Sequence, residues 1–133
     1  MSANHIHNRI ARNDTDGINF YKNPVARLAI NLRDDCKCIY CGAYCLGNSS
    51  LEHLSCQSHG GGHDATNLVV ACLSCNSARG NRSLVTFAAA KGLNLARVVA
   101  EIIERVNRPV LPHLERALIV ARPATAKRIG LAA

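Results

Sequence analysis

Two Cys-x-x-Cys pairs constrain this chain more than any other feature. The first is Cys38-Ile39-Tyr40-Cys41 and the second is Cys72-Leu73-Ser74-Cys75, with 30 residues between them. Two residues between cysteines let one tight turn aim both sulfurs at a single ion. Two such knuckles supply the four ligands of a tetrahedral structural zinc site, with Zn–S near ~2.3 Å. The interval exceeds the common zinc-ribbon spacing, so something sizeable is inserted. Buried thiols or adventitious disulfides are the other reading of the same four residues. Cys36, Cys45 and Cys56 are left over and read as packing or free thiols. Cys36 competes with Cys38, but a single intervening residue makes a poorer knuckle than two.

At 133 residues the chain is expected to form one domain. Its expected parts are a core at 33–82, an N-terminal arm and helix at 1–32 and a C-terminal helical extension at 83–133. The aromatics are few: Phe20, Tyr21, Tyr40, Tyr44 and Phe87. A core short of large rings benefits from a metal staple. No stretch reads as a signal peptide or a membrane span. The expected setting is therefore cytoplasmic, with thiols kept reduced for metal binding and no membrane partner. Net charge is +7 and lopsided. Residues 1–76 hold six Lys/Arg and six Asp/Glu, whereas residues 77–133 hold ten Lys/Arg against Glu101, Glu104 and Glu115. Such a basic half fits a polyanion such as nucleic acid, or simply a solvated surface.

Residues 1–19 are polar and read as an irregular arm. Asn23-Pro24 is a helix start, with Asn as N-cap and Pro at the first helical position. Val25, Leu28, Ala29 and Leu32 follow at helical spacing, with Arg27, Asn31 and Arg33 on the other side, and the helix should end near Asp34. Residues 36–47 read as a knuckle and turn, and 50–54 as a short strand. A glycine-rich loop at 55–66 precedes a second strand at 68–71. A short helix should begin near Leu73 or Ser74 and stop at Gly80. Ser83 caps another helix running to Lys91 before Gly92. Leu95, Val98, Val99, Ile102, Ile103 and Val106 mark one face of a longer helix, and Arg97, Glu101, Glu104 and Arg105 the other. That apolar stripe reads as core, or as a dimer surface. Pro112 could open a last helix, and the basic tail after Pro123 should fray. The expected class is α+β: a small hairpin-helix core with a zinc knuckle pair, flanked by helices.

Within the insertion, Arg33-Asp34 precedes the first cysteine pair. Leu51-Glu52-His53, Gly60-Gly61 and Asn67-Leu68 lie between the pairs, and Asn76-Ser-Ala-Arg79-Gly80 follows the second. Residues 33–82 in this order and spacing resemble the HNH endonuclease family, whose fold is a ββα-metal motif. The resemblance covers a little over a third of the chain and does not address residues 1–32 or 84–133. It implies that His53 is the general base and that Glu52 and Asn76 are ligands of a catalytic divalent metal. It further implies that Asn67 holds the hairpin loop so that the base is aimed, making this an H-N-N variant. Arg79 stands where the family usually has Lys and could meet a phosphate, and Arg82 lies close by. The implied products carry 5′-phosphate and 3′-hydroxyl ends. Small free-standing members are often phage-encoded, some working beside DNA-packaging machinery, so a packaging partner or a homodimer through the C-terminal helices is a further expectation.

The residue types suit that chemistry on their own terms. Phosphodiester hydrolysis needs water deprotonated near neutral pH, and His has a pKa in range. Hard oxygen donors such as Glu52 and Asn76 suit Mg²⁺ or Mn²⁺, whereas four thiolates suit Zn²⁺. The expected partner is DNA, double-stranded. Departures from the family pattern are Glu52 in place of Asp, Cys56 in place of Pro, and His59 where Arg or Lys is common. The extra methylene of Glu52 moves the carboxylate by roughly a bond length, against a tolerance of about 0.5 Å. Adjacent strand residues also point to opposite faces, so Glu52 and His53 share a site only if the strand bends. His63-Asp64 is a competing His/acid pair, in reversed order, in the glycine-rich loop. Two rivals to a nuclease stay open: a zinc-stabilised DNA-binding or packaging-associated protein with a weakened or lost site, and an interaction subunit working through its C-terminal helices.

Overall fold

The computed structural model describes residues 6, 8, 9, 14–55 and 61–121. Helix α1 spans Pro24–Arg33. Strands β1 (Ser49–His53) and β2 (Leu68–Cys72) form an antiparallel hairpin, with Glu52 opposite Val69 and His53 opposite Leu68. Helix α2 (Leu73–Arg79) leaves β2 directly, completing a ββα unit. Helices α3 (Leu84–Lys91), α4 (Leu95–Asn107) and α5 (Leu111–Val120) follow. The fold is thus α+β. No helix among the described residues is long and apolar enough to cross a membrane.

Local chemistry sets most boundaries. Asn23 Oδ1 accepts from Val25 N at 3.0 Å and Ala26 N at 3.1 Å, and Pro24 needs no amide partner at the first helical position. Ser83 and Asn94 cap α3 and α4 in the same way, through Thr86 N and Arg97 N at 3.1 Å each. Gly92 ends α3 in the left-handed region, where a side chain is disfavoured. Helix α1 ends less conventionally. Asp35 and Cys36 both have φ of 56°, which is costly for residues with a Cβ. Cys36 N donates to Asn31 O at 2.7 Å and Asp35 N to Leu32 O at 3.2 Å, so the strained pair closes the helix.

Strand β2 is buried along its whole length, and α1, α4 and the knuckle segment cover it. Ile39 N donates to Val70 O at 2.9 Å, adding the knuckle to the edge of β2. Helix α1 packs against α5, where Leu114 and Ala117 are buried.

Three expectations need correction. The arm is not simply irregular: Ile6, Asn8 and Arg9 have helical backbone, and Ile6, Ile18 and Phe20 join the core. Asn31 and Arg33 do not face solvent, because α1 is covered on several sides; Arg33 is 1% exposed. Arg105 does not face outward either. It lies two helical turns beyond the fully buried Val98, on the same face, and is 4% exposed. Conversely, Val99 and Ile103 are exposed, so the apolar stripe of α4 is wider than the surface it covers.

The buried arginines have a common partner. Arg33 Nε donates to Asp34 Oδ1 at 2.8 Å, and its other nitrogens reach Ala65 O at 2.7 Å and Leu68 O at 2.6 Å. Asp34 Oδ2 accepts from Val70 N at 2.9 Å and lies 3.6 Å from Arg105 Nη1. Arg105 also donates to Lys37 O at 2.7 Å and to Glu101 at 3.0 Å. Removing one member of such a network leaves uncompensated charge in the interior. Asp34→Ala should therefore cost about 3–5 kcal/mol in urea denaturation. Glu104→Ala, which breaks an exposed pair with Arg108, should cost no more than ~0.5 kcal/mol.

Candidate metal centre and cleft

The two knuckles converge. One sulfur from each of Cys38, Cys41, Cys72 and Cys75 lies within 4.8 Å of every other. Cys41 Sγ and Cys72 Sγ are 3.9 Å apart, and a zinc–thiolate tetrahedron requires about 3.8 Å. Backbone amides point at the sulfurs, Tyr40 N to Cys38 Sγ at 3.4 Å and Cys75 N to Cys72 Sγ at 3.3 Å. Burial pushes the Cys38 and Cys75 thiols up. At Cys72 burial is outweighed by hydrogen bonds from Cys75 and its neighbours, and the pKa falls. Cys36 is outside the group and Cys38 inside, as the knuckle geometry favours. Cys45 is buried nearby, and burial together with the adjacent sulfurs raises its pKa to about 11. None of the described cysteines forms a disulfide. Cys56 and His59 lie outside the described residues.

On another side of the hairpin a cleft of about 820 Å³ is lined by Glu52, His53, Asn76, Arg79 and Arg82, together with Tyr21, Asn81 and Ser83. Residues 50–55 all border it, so it touches both faces of β1. Glu52 and His53 therefore share one cleft while addressing different neighbours.

Glu52 is 6% exposed. Its Oε2 accepts from the Tyr40 hydroxyl and from Arg79 Nη1 at 2.9 Å, while Oε1 is buried with no hydrogen-bond partner. Arg79 Nη1 also donates to Tyr40 Oη at 2.7 Å. Burial, then the hydrogen bond to Glu52, drives the Tyr40 phenol well above its usual value, so it stays protonated as a donor. The Asn76 side chain makes no hydrogen bond among the described residues. A buried carboxylate oxygen without a donor and an amide oxygen, on two residues that line one cleft, are ligand types that suit a hard cation.

His53 Nε2 lies 2.9 Å from His63 Nδ1. Burial, then the neighbouring His63, lowers the His53 pKa, favouring at neutral pH the uncharged form that can take a proton. Asn67 stands outside the cleft. Its amide donates to Ser55 O at 3.0 Å and Gly62 O at 2.8 Å, and its oxygen accepts from Ser55 N at 2.8 Å, tying together both ends of the connection between the strands.

Arg82 is exposed at the cleft, its guanidinium 5.6 Å from the Phe87 ring centroid and bonded to Ala78 O. The basic half of the chain is only partly available to a ligand. Arg97, Arg105 and Arg108 donate to the carbonyls of Tyr40, Lys37 and Arg33 at 3.0, 2.7 and 2.8 Å, bracing the knuckle. Sequence reasoning missed Tyr21 and Tyr40 as neighbours of the site and treated His63 as a rival to His53. No spacing signals those contacts, which depend on how loops close.

Residues 38–82 match the HNH endonuclease family model. Comparison with curated proteins and with solved structures gives no match. The matched segment runs from the first cysteine of the clamp to Arg82 and contains every cleft residue discussed except Tyr21 and Ser83. The match covers about a third of the chain, and that segment contains four cysteines positioned to bind a metal ion.

Purified protein should hold about one tightly bound metal ion per chain by elemental analysis. Cys72→Ser should lose most of it, and Cys36→Ala should keep it. Metal retained in the first variant, or lost in the second, would contradict this ligand set.

Proposed function

We propose that the cleft hydrolyses phosphodiester bonds of double-stranded DNA, with His53 as general base and one Mg²⁺ or Mn²⁺ ion at the scissile phosphate. The four thiolates hold Zn²⁺ as a structural ion, since a closed four-sulfur set suits zinc and leaves no position for substrate. The observation that carries this reading is one cleft lined by His53, Glu52, Asn76 and two arginines, with Glu52 keeping one carboxylate oxygen unpartnered.

Glu52 and Asn76 are the residues that would hold the divalent ion, both offering oxygen. When bound, such an ion supplies charge neutralisation at the phosphate and at the leaving oxygen. His53 takes a proton from water, the water oxygen attacks phosphorus, the P–O3′ bond breaks and the leaving 3′ oxygen takes a proton from solvent water. Tyr40 and Arg79 fix the carboxylate of Glu52 through Oε2, leaving Oε1 without a protein donor. Asn67 keeps the loop closed beneath His53. Arg82, exposed at the cleft, meets the phosphate backbone. Contacts of that kind release counterions, so affinity should fall with salt, and Arg82→Ala should reduce the salt slope by about one.

The Arg79–Glu52 ion pair favours one second reading, a DNA-binding module without cleavage, because it occupies one carboxylate oxygen. Nicking of supercoiled plasmid under Mg²⁺, Mn²⁺ and chelator separates the two. Cleavage should require the divalent ion, and His53→Ala should lower its rate ~10²–10⁴-fold while zinc content and DNA affinity stay near wild type. Glu52→Asp, which restores the family's usual acid with a shorter reach, should retain metal-dependent activity, whereas Glu52→Ala should not. DNA binding with no cleavage in any metal would establish the second reading instead.

A further inference from the structure

The proposed base is not alone. His53 Nε2 and His63 Nδ1 are at hydrogen-bond distance, 2.9 Å, with ring centroids 5.1 Å apart. Tyr21 stacks on the His63 ring at 5.2 Å and 11°, and packs at a tilt on His53 at 4.6 Å. Backbone bonds anchor the segment that carries His63: Phe20 N donates to His63 O at 3.1 Å, and Asn67 Nδ2 holds Gly62 O at 2.8 Å. Neither ring is left to drift, although His63 sits ten residues downstream across a loop.

A single proton lies between the two ring nitrogens in this contact, so one imidazole donates and the other accepts. If His63 donated, His53 would spend its Nε2 lone pair on the bond and carry its own proton on Nδ1. No lone pair would remain for water. If His53 donates Nε2–H, its Nδ1 keeps the lone pair, and Nδ1 has no other hydrogen bond among the described residues. Only this second arrangement leaves a base.

We propose that His63 is the positioning partner of the general base, accepting Nε2–H of His53 on its Nδ1 and so fixing the tautomer and ring orientation that present His53 Nδ1 to water. The inference rests on the reading of His53 as base. In the step, an O–H bond of water breaks, the proton goes to His53 Nδ1, the water oxygen bonds to phosphorus, and the P–O3′ bond breaks with the leaving oxygen taking a proton from solvent water. His53 becomes imidazolium, and its Nε2–H bond to Nδ1 of His63 turns charge-assisted and stronger. A carboxylate could orient the ring equally well, but it would place negative charge beside an incoming phosphate. An imidazole orients without that repulsion.

The test compares kcat and KM for plasmid nicking in wild type, His63→Leu, His63→Asn, His63→Gln and, in parallel, His53→Ala. Asn places an amide oxygen where Nδ1 stands, whereas Gln places it one atom farther out. His63→Leu should lose about a hundredfold in kcat with KM, zinc content and melting temperature nearly unchanged, as misplacing a reacting group does. His63→Asn should recover most of the loss and His63→Gln little. In wild-type protein labelled with ¹⁵N at histidine, a nitrogen–nitrogen coupling should cross the bond between His53 Nε2 and His63 Nδ1. Wild-type kcat in His63→Leu while His53→Ala is inactive would overturn the positioning role alone. Equal loss in all three His63 variants with lowered melting temperature would reduce His63 to a structural residue and overturn it too. Undiminished cleavage by His53→Ala would overturn the underlying reading. Absence of the coupling would refute the pairing whatever the activity.

Discussion

A single buried carboxylate, that of Asp34, joins the three stretches of this chain. Asp34 closes α1, receives the amide of Val70 from the middle of β2, and lies against Arg33 and Arg105, the latter from α4. Interior charge is expensive unless every partner is in place. The arrangement therefore specifies one packing: α4 can dock only where Arg105 finds both Asp34 and the carbonyl of Lys37. Arg97 and Arg108 extend the same logic along α4 to Tyr40 and Arg33, so the helix is registered by guanidinium–carbonyl bonds as much as by its apolar stripe. This also accounts for part of the basic excess, which serves the fold before it serves any ligand.

The clamp and the cleft are not independent modules. Tyr40 lies between the two cysteines of the first knuckle, yet its hydroxyl ends on Glu52 in the cleft. Helix α2 begins at the second knuckle and presents Asn76 and Arg79 to the cleft within one turn. The hairpin is thus held on one side by the cysteine cluster and borders the cleft on the other. Asn67 secures the loop end that neither side reaches.

Much of this was legible in the sequence, and the remainder was not, for physical reasons. Caps announce themselves locally, so Asn23-Pro24, Ser83, Gly80 and Gly92 gave helix limits within a residue or two. The cysteine spacing selected Cys38 over Cys36, and the structure agrees. Periodicity failed at Arg33 and Arg105, because it reads polarity and has no knowledge of a partner 68 residues away. It fails likewise at the arm, where Ile6 and Ile18 are isolated in a polar stretch and yet fill interior positions. His63, in the glycine-rich loop and with its acidic neighbour in reversed order, reads in the sequence as a weaker rival to His53 as water activator, whereas in the fold it touches His53, a contact no linear pattern encodes.

Helix α2 carries a consequence for the order in which the molecule assembles. It has seven residues, too few to persist in water unaided. Its N-terminal amide, from Cys75, is capped by the sulfur of Cys72, where other helices of this chain use oxygen from Asn or Ser. The helix thus owes its start to a sulfur whose position depends on the other three. Asn76 and Arg79 can take their places over the cleft only after the knuckles have closed. The cleft therefore depends on the clamp: opening the knuckles would remove the cap of α2 and the placement of Asn76 and Arg79, while the packing of α1 against α5 needs no sulfur.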